Sequence, residues 1–365
     1  MLDASQLLAD SALSISSIEV KTAVAAFLVG VVVGITGMGG GALMTPALIF
    51  LGVGDASSVV TADLTAAAVY KTGGAVVHAR AGSPNLRLAG WLIAGSVPCA
   101  FLGPHLVHWF APEADIDTFL KKAIGFALLL AASTYALRLY LELRRRTSGR
   151  PTPSGEPVIR PIPTMLIGGF GGLLVGITSV GSGSVIMVAL LMLYPMLSAL
   201  KLVGTDLVQA VPLVLSAAIS NIMVNGLDWS IVIPLTIGSV PGCILGAKVA
   251  PMMRQTYIRR GIIVVLTMSG LALLDKAGWA PLGSGEDDTH PVFIALVGVA
   301  LVFLVPLVWG LLRMERGLPM FGTPTVQQIE DHQADVPDRP TGEAAPNAVE
   351  ESDRTLEEPA RKSSD

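Results

Sequence analysis

The chain has 365 residues, of which 52% are hydrophobic and only 14% charged, and its mean hydropathy is +0.65. Soluble domains carry about 25% charged residues, so this composition excludes a soluble globular protein. The formal net charge of −4 is unevenly spread: residues 321–365 hold eleven acidic and four basic residues, which leaves a mildly basic body. Nothing in this balance indicates nucleic-acid binding. Cys99 and Cys243 lie in apolar segments, where neither a disulfide framework nor a metal site is expected.

Stretches of about 20 apolar residues, long enough to cross a bilayer, recur along the chain. Those predicted as continuous membrane helices are 57–78, 88–109, 119–141, 204–224, 230–249, 258–275 and 291–312. Residues 1–21 carry several charged side chains and lack the basic start of a signal peptide. They are expected to form a short amphipathic or irregular lead-in.

Two further apolar regions, 22–51 and 162–194, are interrupted by the runs Gly37-Met38-Gly39-Gly40-Gly41 and Gly181-Ser182-Gly183-Ser184. Each half of these regions has about 12–17 residues, or roughly 18–25 Å as a helix. That length is short of the ~30 Å hydrocarbon core. We therefore expect pairs of short helices here.

An internal duplication relates residues 22–141 to residues 162–275. Gly34-Ile35-Thr36 recurs as Gly176-Ile177-Thr178, and Asp63-Leu64 recurs as Asp206-Leu207. Gly95-Ser96-Val97-Pro98 also recurs, as Gly238-Ser239-Val240-Pro241. Ordered matches of glycine, proline and aspartate are not expected by chance, so the sequence predicts two membrane repeats.

Loop charges predict the orientation, because basic loops stay cytoplasmic. The Arg-rich linker 142–161 falls inside and the acidic loop 276–290 outside. Counting membrane crossings between these loops requires each broken region to start and end on the same side, as a hairpin. Each repeat then has five segments, an odd number, so the two repeats are predicted to be inserted in opposite orientations. The sequence thus predicts an all-α polytopic membrane protein with two inverted repeats, an extra helix at 291–312 and a disordered acidic cytoplasmic tail at 313–365. Inverted repeats with broken helices are typical of secondary transporters.

The two breaks are the candidate substrate site. Irregular backbone within a membrane must be buried in protein or line a wet cavity, and the helix that follows a break presents free N–H groups. Hydroxyl groups add donors, which suits a small oxyanion; the alternative is that the glycines only allow close helix packing. The candidate residues are Thr36, Gly37, Gly39, Gly40, Gly41, Thr178, Ser179, Gly181, Ser182, Gly183 and Ser184.

Polar residues in the third segment of each repeat are candidates for coupling or for lining the pathway. They are Asp63, Lys71, Asp206, Gln209 and Asn221. Ionisable residues within membrane helices are often functional. Asp63 and Asp206 are alternatively residues of a helix first turn, where Asp satisfies free N–H groups. Pro98 and Pro241 stand at matching positions and predict matched helix kinks.

The run Gly34-Ile35-Thr36-Gly37-Met38-Gly39-Gly40-Gly41, followed by Pro46 and Asp63-Leu64, resembles the TauE/SafE sulfite exporter family. The second glycine run and the duplicated Gly-Ser-Val-Pro segment resemble it too, so the likeness covers about residues 22–275. The resemblance implies a permease for a sulfur-containing anion such as sulfite, sulfoacetate or thiosulfate. It also implies a bacterial-type plasma membrane and a driving ion gradient.

Two alternatives stay open, an anion channel without alternating access and a membrane assembly or interaction protein. No nucleophile–base pair, metal cluster or cofactor fingerprint is visible, so neither catalysis nor a cofactor is expected. The expected partners are a small anion and the lipid bilayer. The sequence is compatible with a homo-oligomer but does not predict one.

The topology is testable by cysteine accessibility. With the N-terminus outside and the tail inside, Ser5→Cys is expected to label only from the external side and Ser352→Cys only from the cytoplasmic side. Labelling of both positions from the same side would contradict the hairpin count.

Overall fold

The computed structural model describes residues 4–36, 40–80, 84–147, 158–181, 183–194, 197, 199–249, 255–279 and 291–315. Across these ranges the chain is helical, with one 3₁₀ turn at Glu113–Asp115 and no strand. Each predicted membrane segment coincides with a helix, so the all-helical fold class is confirmed.

Within the described residues, the first predicted repeat contains five helices and the second another five, followed by one more. In the first repeat they are α1 (Ala4–Thr36), α2 (Gly41–Leu51), α3 (Ala56–Arg80), α4 (Leu86–Phe110) and α5 (Ile116–Thr147). In the second they are α6 (Pro161–Thr178), α7 (Val185–Leu193), α8 (Ala199–Asn225), α9 (Trp229–Val249) and α10 (Gln255–Lys276). The additional helix is α11 (Pro291–Met314).

Six helices within the described ranges are long and apolar enough to cross a membrane. They comprise Ile18–Thr36 of α1, α4, Ile116–Leu141 of α5, α6, Gly204–Asn225 of α8, and α9. A chain with this many apolar helices is a multi-pass membrane protein.

The broken regions differ from the prediction in one respect, because only their second halves are short. Helix α1 has 33 residues and runs from Ala4 to Thr36, so from Ala4 onward the expected lead-in and the first apolar segment lie in one helix. Helix α6 has 18 residues and is long enough to span. By contrast α2 and α7 have 11 and 9 residues, only about 14–17 Å of helix.

The region 162–194 folds back on itself. The hydroxyl of Tyr194, just after α7, accepts a hydrogen bond from the backbone N–H of Arg160, just before α6, at 2.9 Å. It also shares a 2.6 Å hydrogen bond with the Thr164 hydroxyl in the first turn of α6. The chain therefore leaves α7 beside the place where it entered α6, which makes the pair a hairpin.

Helices of one repeat pack most closely against helices of the other, and they do so reciprocally. Gly30 of α1 lies against the backbone of Ser239 in α9, and its repeat counterpart Gly172 of α6 lies against the backbone of Ser96 in α4. The same exchange relates four further contacts: Gly34 with Cys243, Gly176 with Ala100, Gly103 with Ile177, and Gly246 with Ile35. Glycine permits these approaches because a Cβ at each position would meet backbone atoms.

The predicted loops and tail lie largely outside the described residues, as do residues 148–157 of the linker. Helix α5 runs to Thr147, so the first residues assigned to the linker are helical. The inverted orientation of the repeats in the membrane stays a prediction.

The reciprocal packing predicts opposite effects for two Gly→Ala substitutions in helices. Gly172→Ala places a Cβ against the Ser96 backbone and is expected to lower the free energy of unfolding by about 1–3 kcal/mol. Gly90→Ala, where a Cβ meets no atom within 4 Å, is expected to leave stability unchanged or to raise it by up to about 1 kcal/mol. Thermal unfolding in detergent measures both, and equal behaviour of the two variants would contradict the packing.

Candidate functional site

The two helix breaks meet in the structure. Gly41, the first residue of α2, lies so close to Ser179, which follows the last residue of α6, that a Cβ on Gly41 would overlap the Ser179 carbonyl. Ser179 has a φ of 60°, the one positive φ among the described residues other than glycine, and Gly181 has a φ of 117°. The chain therefore leaves helical geometry at the point where the two repeats touch.

A buried carboxylate lies at this contact. Oδ2 of Asp63, in α3, accepts hydrogen bonds from the Thr45 hydroxyl at 2.6 Å and from the Ser179 hydroxyl at 2.8 Å. The exposed fractions of Thr45, Asp63 and Ser179 are 0%, 0% and 5%. The Oδ2 atom of Asp63 thus connects α2, α3 and the break that follows α6.

The other oxygen of this carboxylate is less well satisfied. Oδ1 of Asp63 is buried and has no hydrogen-bond partner in the described part of the chain. A buried acceptor without a donor is uncommon and costs free energy, so such an atom in a native fold requires an explanation.

The interpretation of both aspartates as residues of a helix first turn is wrong. Helix α3 begins at Ala56 and α8 at Ala199, so Asp63 and Asp206 are each the eighth residue of their helix. At that depth the backbone N–H groups already have intrahelical acceptors. The start of α3 is instead capped by Asp55, whose carboxylate accepts from the Ser58 backbone N–H at 3.3 Å.

Lys71 connects the two aspartates electrostatically. It lies in α3, is only 7% exposed, and interacts with the carboxylates of both Asp63 and Asp206. Asp206 is 5% exposed and also interacts with Arg138 of α5. The structure thus brings together two acids and two bases, with both acids and Lys71 buried.

This site is asymmetric although the packing of the repeats is reciprocal. The residue of the second repeat that corresponds to Lys71 is Val214, and Thr45 corresponds to Met187 or Val188. The Thr45–Asp63 contact and the buried lysine therefore belong to the first repeat, while Ser179 is the hydroxyl that the second repeat contributes.

The remaining residues of the first break have backbone roles. The backbone N–H of Gly40 donates to the Tyr70 hydroxyl at 3.1 Å. Thr36 ends α1 and donates to the Val33 carbonyl. Gly37 and Gly39 lie outside the described residues.

In the second break, Thr178 ends α6 and donates to the Leu174 carbonyl. Gly183 lies in the turn, and Ser184 is buried just before α7. Ser182 lies outside the described residues. Of the predicted candidates, Gly41 and Ser179 are therefore the two that contact each other across the breaks.

Gln209 and Asn221 join α8 to its neighbours. The Asn221 amide donates to the Gly176 carbonyl at 3.0 Å, a hydrogen bond that joins α8 to α6. The Gln209 amide donates to the Ser96 hydroxyl at 3.0 Å, while its carbonyl oxygen has no partner among the described residues. Pro98 and Pro241 lie inside α4 and α9, and the kinks they predict stay a prediction.

Sequence reasoning missed Thr45 and Tyr70. A threonine in an apolar helix usually bonds the backbone of its own preceding turn, so Thr45 carried no distinguishing signal. The available signal was its spacing, since Thr45 stands one helical turn after Gly41 and therefore on the same face. No group of three or more His, Cys, Asp or Glu side chains in the described ranges is placed to hold a metal ion.

Discontinuous apolar helices that meet at buried charged groups define a class of polytopic membrane protein to which secondary transporters belong. The chain is a member of the TauE/SafE sulfite exporter family, whose model matches residues 22–273. It is thus a membrane transporter by family, and the resemblance given by the glycine runs is confirmed.

Two curated relatives agree with this assignment. The "Probable membrane transporter protein YjnA" of Bacillus subtilis (strain 168) is 34% identical over 247 residues, which cover 67% of this chain and 96% of the relative. The "Probable membrane transporter protein YdhB" of the same organism is 25% identical over 249 residues, 68% of this chain and 97% of the relative. No solved structure matches the chain significantly.

The contact between the breaks predicts a selective rescue. Gly40→Ala places a Cβ against the Tyr70 hydroxyl, whereas Gly41→Ala places one against the Ser179 backbone. Each substitution is expected to lower the free energy of unfolding by about 1–3 kcal/mol. Tyr70→Phe removes the obstructing oxygen, so it is expected to recover part of the loss in Gly40→Ala and none in Gly41→Ala.

Thermal unfolding of Gly40→Ala and Gly41→Ala, each alone and combined with Tyr70→Phe, measures this difference. The Tyr70→Phe single variant is the control for the lost Gly40 hydrogen bond. Equal rescue of both alanine variants would contradict the arrangement of the breaks.

Proposed function

We propose that the protein is a secondary transporter of a small sulfur-containing oxyanion, of the size of sulfite, sulfoacetate or thiosulfate. The substrate binds where the breaks of the two hairpins meet, between Gly41 and Ser179. The observation that carries the proposal is the contact of these two breaks around buried hydroxyl donors.

The donors at this contact support an oxyanion as the ligand. The hydroxyls of Thr45 and Ser179 converge on one oxygen atom. Helices α2 and α7 both begin at the breaks, and the N-terminal end of a helix favours negative charge. Small tetrahedral or pyramidal oxyanions present several acceptor oxygens and no donor, so they fit such a set.

Lys71 supplies positive charge at the same place. Coulomb attraction is stronger in a buried site than in water, so a buried ammonium group favours an anion over a neutral solute. The two carboxylates beside it oppose an anion, and for this reason charge compensation has to be part of the transport cycle.

Burial favours alternating access over an open channel. Thr45 and Asp63 are both 0% exposed, so neither side chain is in contact with solvent. The grooves elsewhere on the surface, such as the one beside Pro98 and Ser216, are not lined by these residues. A channel needs a continuous wet path, whereas a transporter passes through a closed state.

Flux into proteoliposomes with labelled sulfite, thiosulfate and sulfoacetate tests the substrate. We expect saturable uptake of at least one of the three, and competition among those that share the site. Gly41→Ala, with the breaks forced apart, is expected to lose this uptake, while Gly90→Ala keeps it. Absence of protein-dependent flux for all three anions would contradict the proposed substrate class.

Counterflow separates the transporter from the channel. Vesicles preloaded with unlabelled substrate are expected to accumulate label transiently above equilibrium, because a carrier exchanges one bound anion for another. A channel gives no such overshoot, so its absence together with saturable flux would favour the channel.

A further inference from the structure

The hydroxyl donors at the breaks bond a carboxylate of the protein, that of Asp63. Thr45 and Ser179 both donate to Oδ2 of Asp63, and no side chain there is exposed enough to exchange these bonds for water. A carboxylate oxygen resembles a sulfite or sulfonate oxygen in size, charge and acceptor geometry. The same two hydroxyls therefore suit the substrate and Asp63 equally.

We propose that the transported anion replaces the Asp63 carboxylate as the acceptor of the Thr45 and Ser179 hydroxyls, and that Asp63 takes up a proton as the anion binds. This inference rests on the proposed function. One proton from solution adds to a carboxylate oxygen, no bond of the anion breaks, and the proton leaves when the anion is released. The transporter then couples anion movement to a proton.

The charges around the site support the exchange. Lys71 interacts electrostatically with both Asp63 and Asp206 of α8, and Asp63 also acts on Tyr70 of α3. Around them, Cys243 of α9 acts on Tyr70 and Arg138 of α5 acts on Asp206. Helix α2, which also packs against α3, contributes no titratable residue. Two bases and two acids give this set together with Asp63 a formal charge of zero. An incoming anion unbalances it, and a proton on Asp63 offsets one unit of the added charge.

Asp63 is the acid that the geometry selects. Its Oδ2 accepts from the two hydroxyls. Its Oδ1, like that of Asp206, is buried with no hydrogen-bond partner among the described residues, so both acids have a site for a proton and the hydroxyl bonds distinguish Asp63. Once protonated, the carboxyl group becomes a donor to the anion. No hydroxyl from either break bonds Asp206 in the described structure, so a proton there would release no donor to the substrate.

Proton uptake on binding tests the inference. Purified full-length protein in nanodiscs is titrated with thiosulfate, which does not itself bind protons near neutral pH. Calorimetry is run in buffers of different ionisation enthalpy, at several pH values from mildly acidic to alkaline. We expect about one proton per anion at the alkaline end, with affinity falling there about tenfold per pH unit.

Two substitutions at aspartate assign the proton. Asp63→Asn resembles the protonated acid, so it is expected to bind thiosulfate with no proton uptake and no pH dependence of affinity. Asp228→Asn is the control, because Asp228 is exposed and its side chain accepts from Ser230 at the start of α9, a role that Asn retains. It is expected to behave like the unmodified protein.

Two hydroxyl deletions test the shared donors. At the mildly acidic end, where Asp63 already carries a proton before the anion binds, Thr45→Val and Ser179→Ala are each expected to weaken thiosulfate binding roughly 5- to 150-fold, the range for a lost hydrogen bond to a charged group. At the alkaline end the same bond is also lost from the Asp63 carboxylate of the free protein, so this weakening is expected largely to cancel. Thr61→Val is the matched control, because Thr61 is equally buried in α3 but donates to the Ser57 carbonyl. It is expected to keep normal affinity.

The outcomes separate the two proposals. Binding without net proton uptake in the unmodified protein would overturn this inference and leave the proposed function intact. Proton uptake that persists in Asp63→Asn would overturn the assignment to Asp63. Absence of binding and flux for thiosulfate, sulfite and sulfoacetate alike would overturn the proposed function itself. The measurement on the unmodified protein decides the coupling even if Asp63→Asn fails to fold.

Discussion

A membrane interior offers no water to a backbone that leaves helical geometry, so an interrupted helix must find its partners within the protein. This chain meets that constraint by setting the break of one hairpin against the break of the other, with Gly41 on Ser179. The hydroxyls of Thr45 and Ser179 then converge on Asp63. Each break is buried because the other covers it, and the candidate site is where they touch.

The glycines of the long helices allow the two repeats to pack closely enough for the breaks to touch. Gly30 and Gly172 lie against backbone of the opposite repeat, which draws α1 to α9 and α6 to α4. The breaks follow at the ends of α1 and α6, so close packing of those helices also sets the position of the site. The framework is therefore reciprocal, whereas Lys71 and Thr45 have no polar counterparts in the second repeat. The two repeats therefore pack in the same way but contribute different polar groups to the candidate site.

The glycine runs were enough to predict that both apolar regions are interrupted and that Gly41 and Ser179 lie at the interruptions, because breaks in apolar segments are visible locally. The partner of Asp63 was not predictable in the same way. The alternative that Asp63 lies in a helix first turn is wrong because α3 begins at Ala56, which puts Asp63 two turns inside the helix. Which side chains then meet Asp63 depends on the rotation of α2 and α6, and helix rotation is set by packing between repeats that lie over a hundred residues apart.

The central claim is that Asp63 and the transported anion compete for the same hydroxyl donors. Infrared difference spectroscopy observes this carboxyl group directly. On addition of thiosulfate, the account predicts loss of a carboxylate band and gain of a protonated carboxyl band, both absent in Asp63→Asn and retained in Asp228→Asn. Binding of the anion with the carboxylate band unchanged would contradict it.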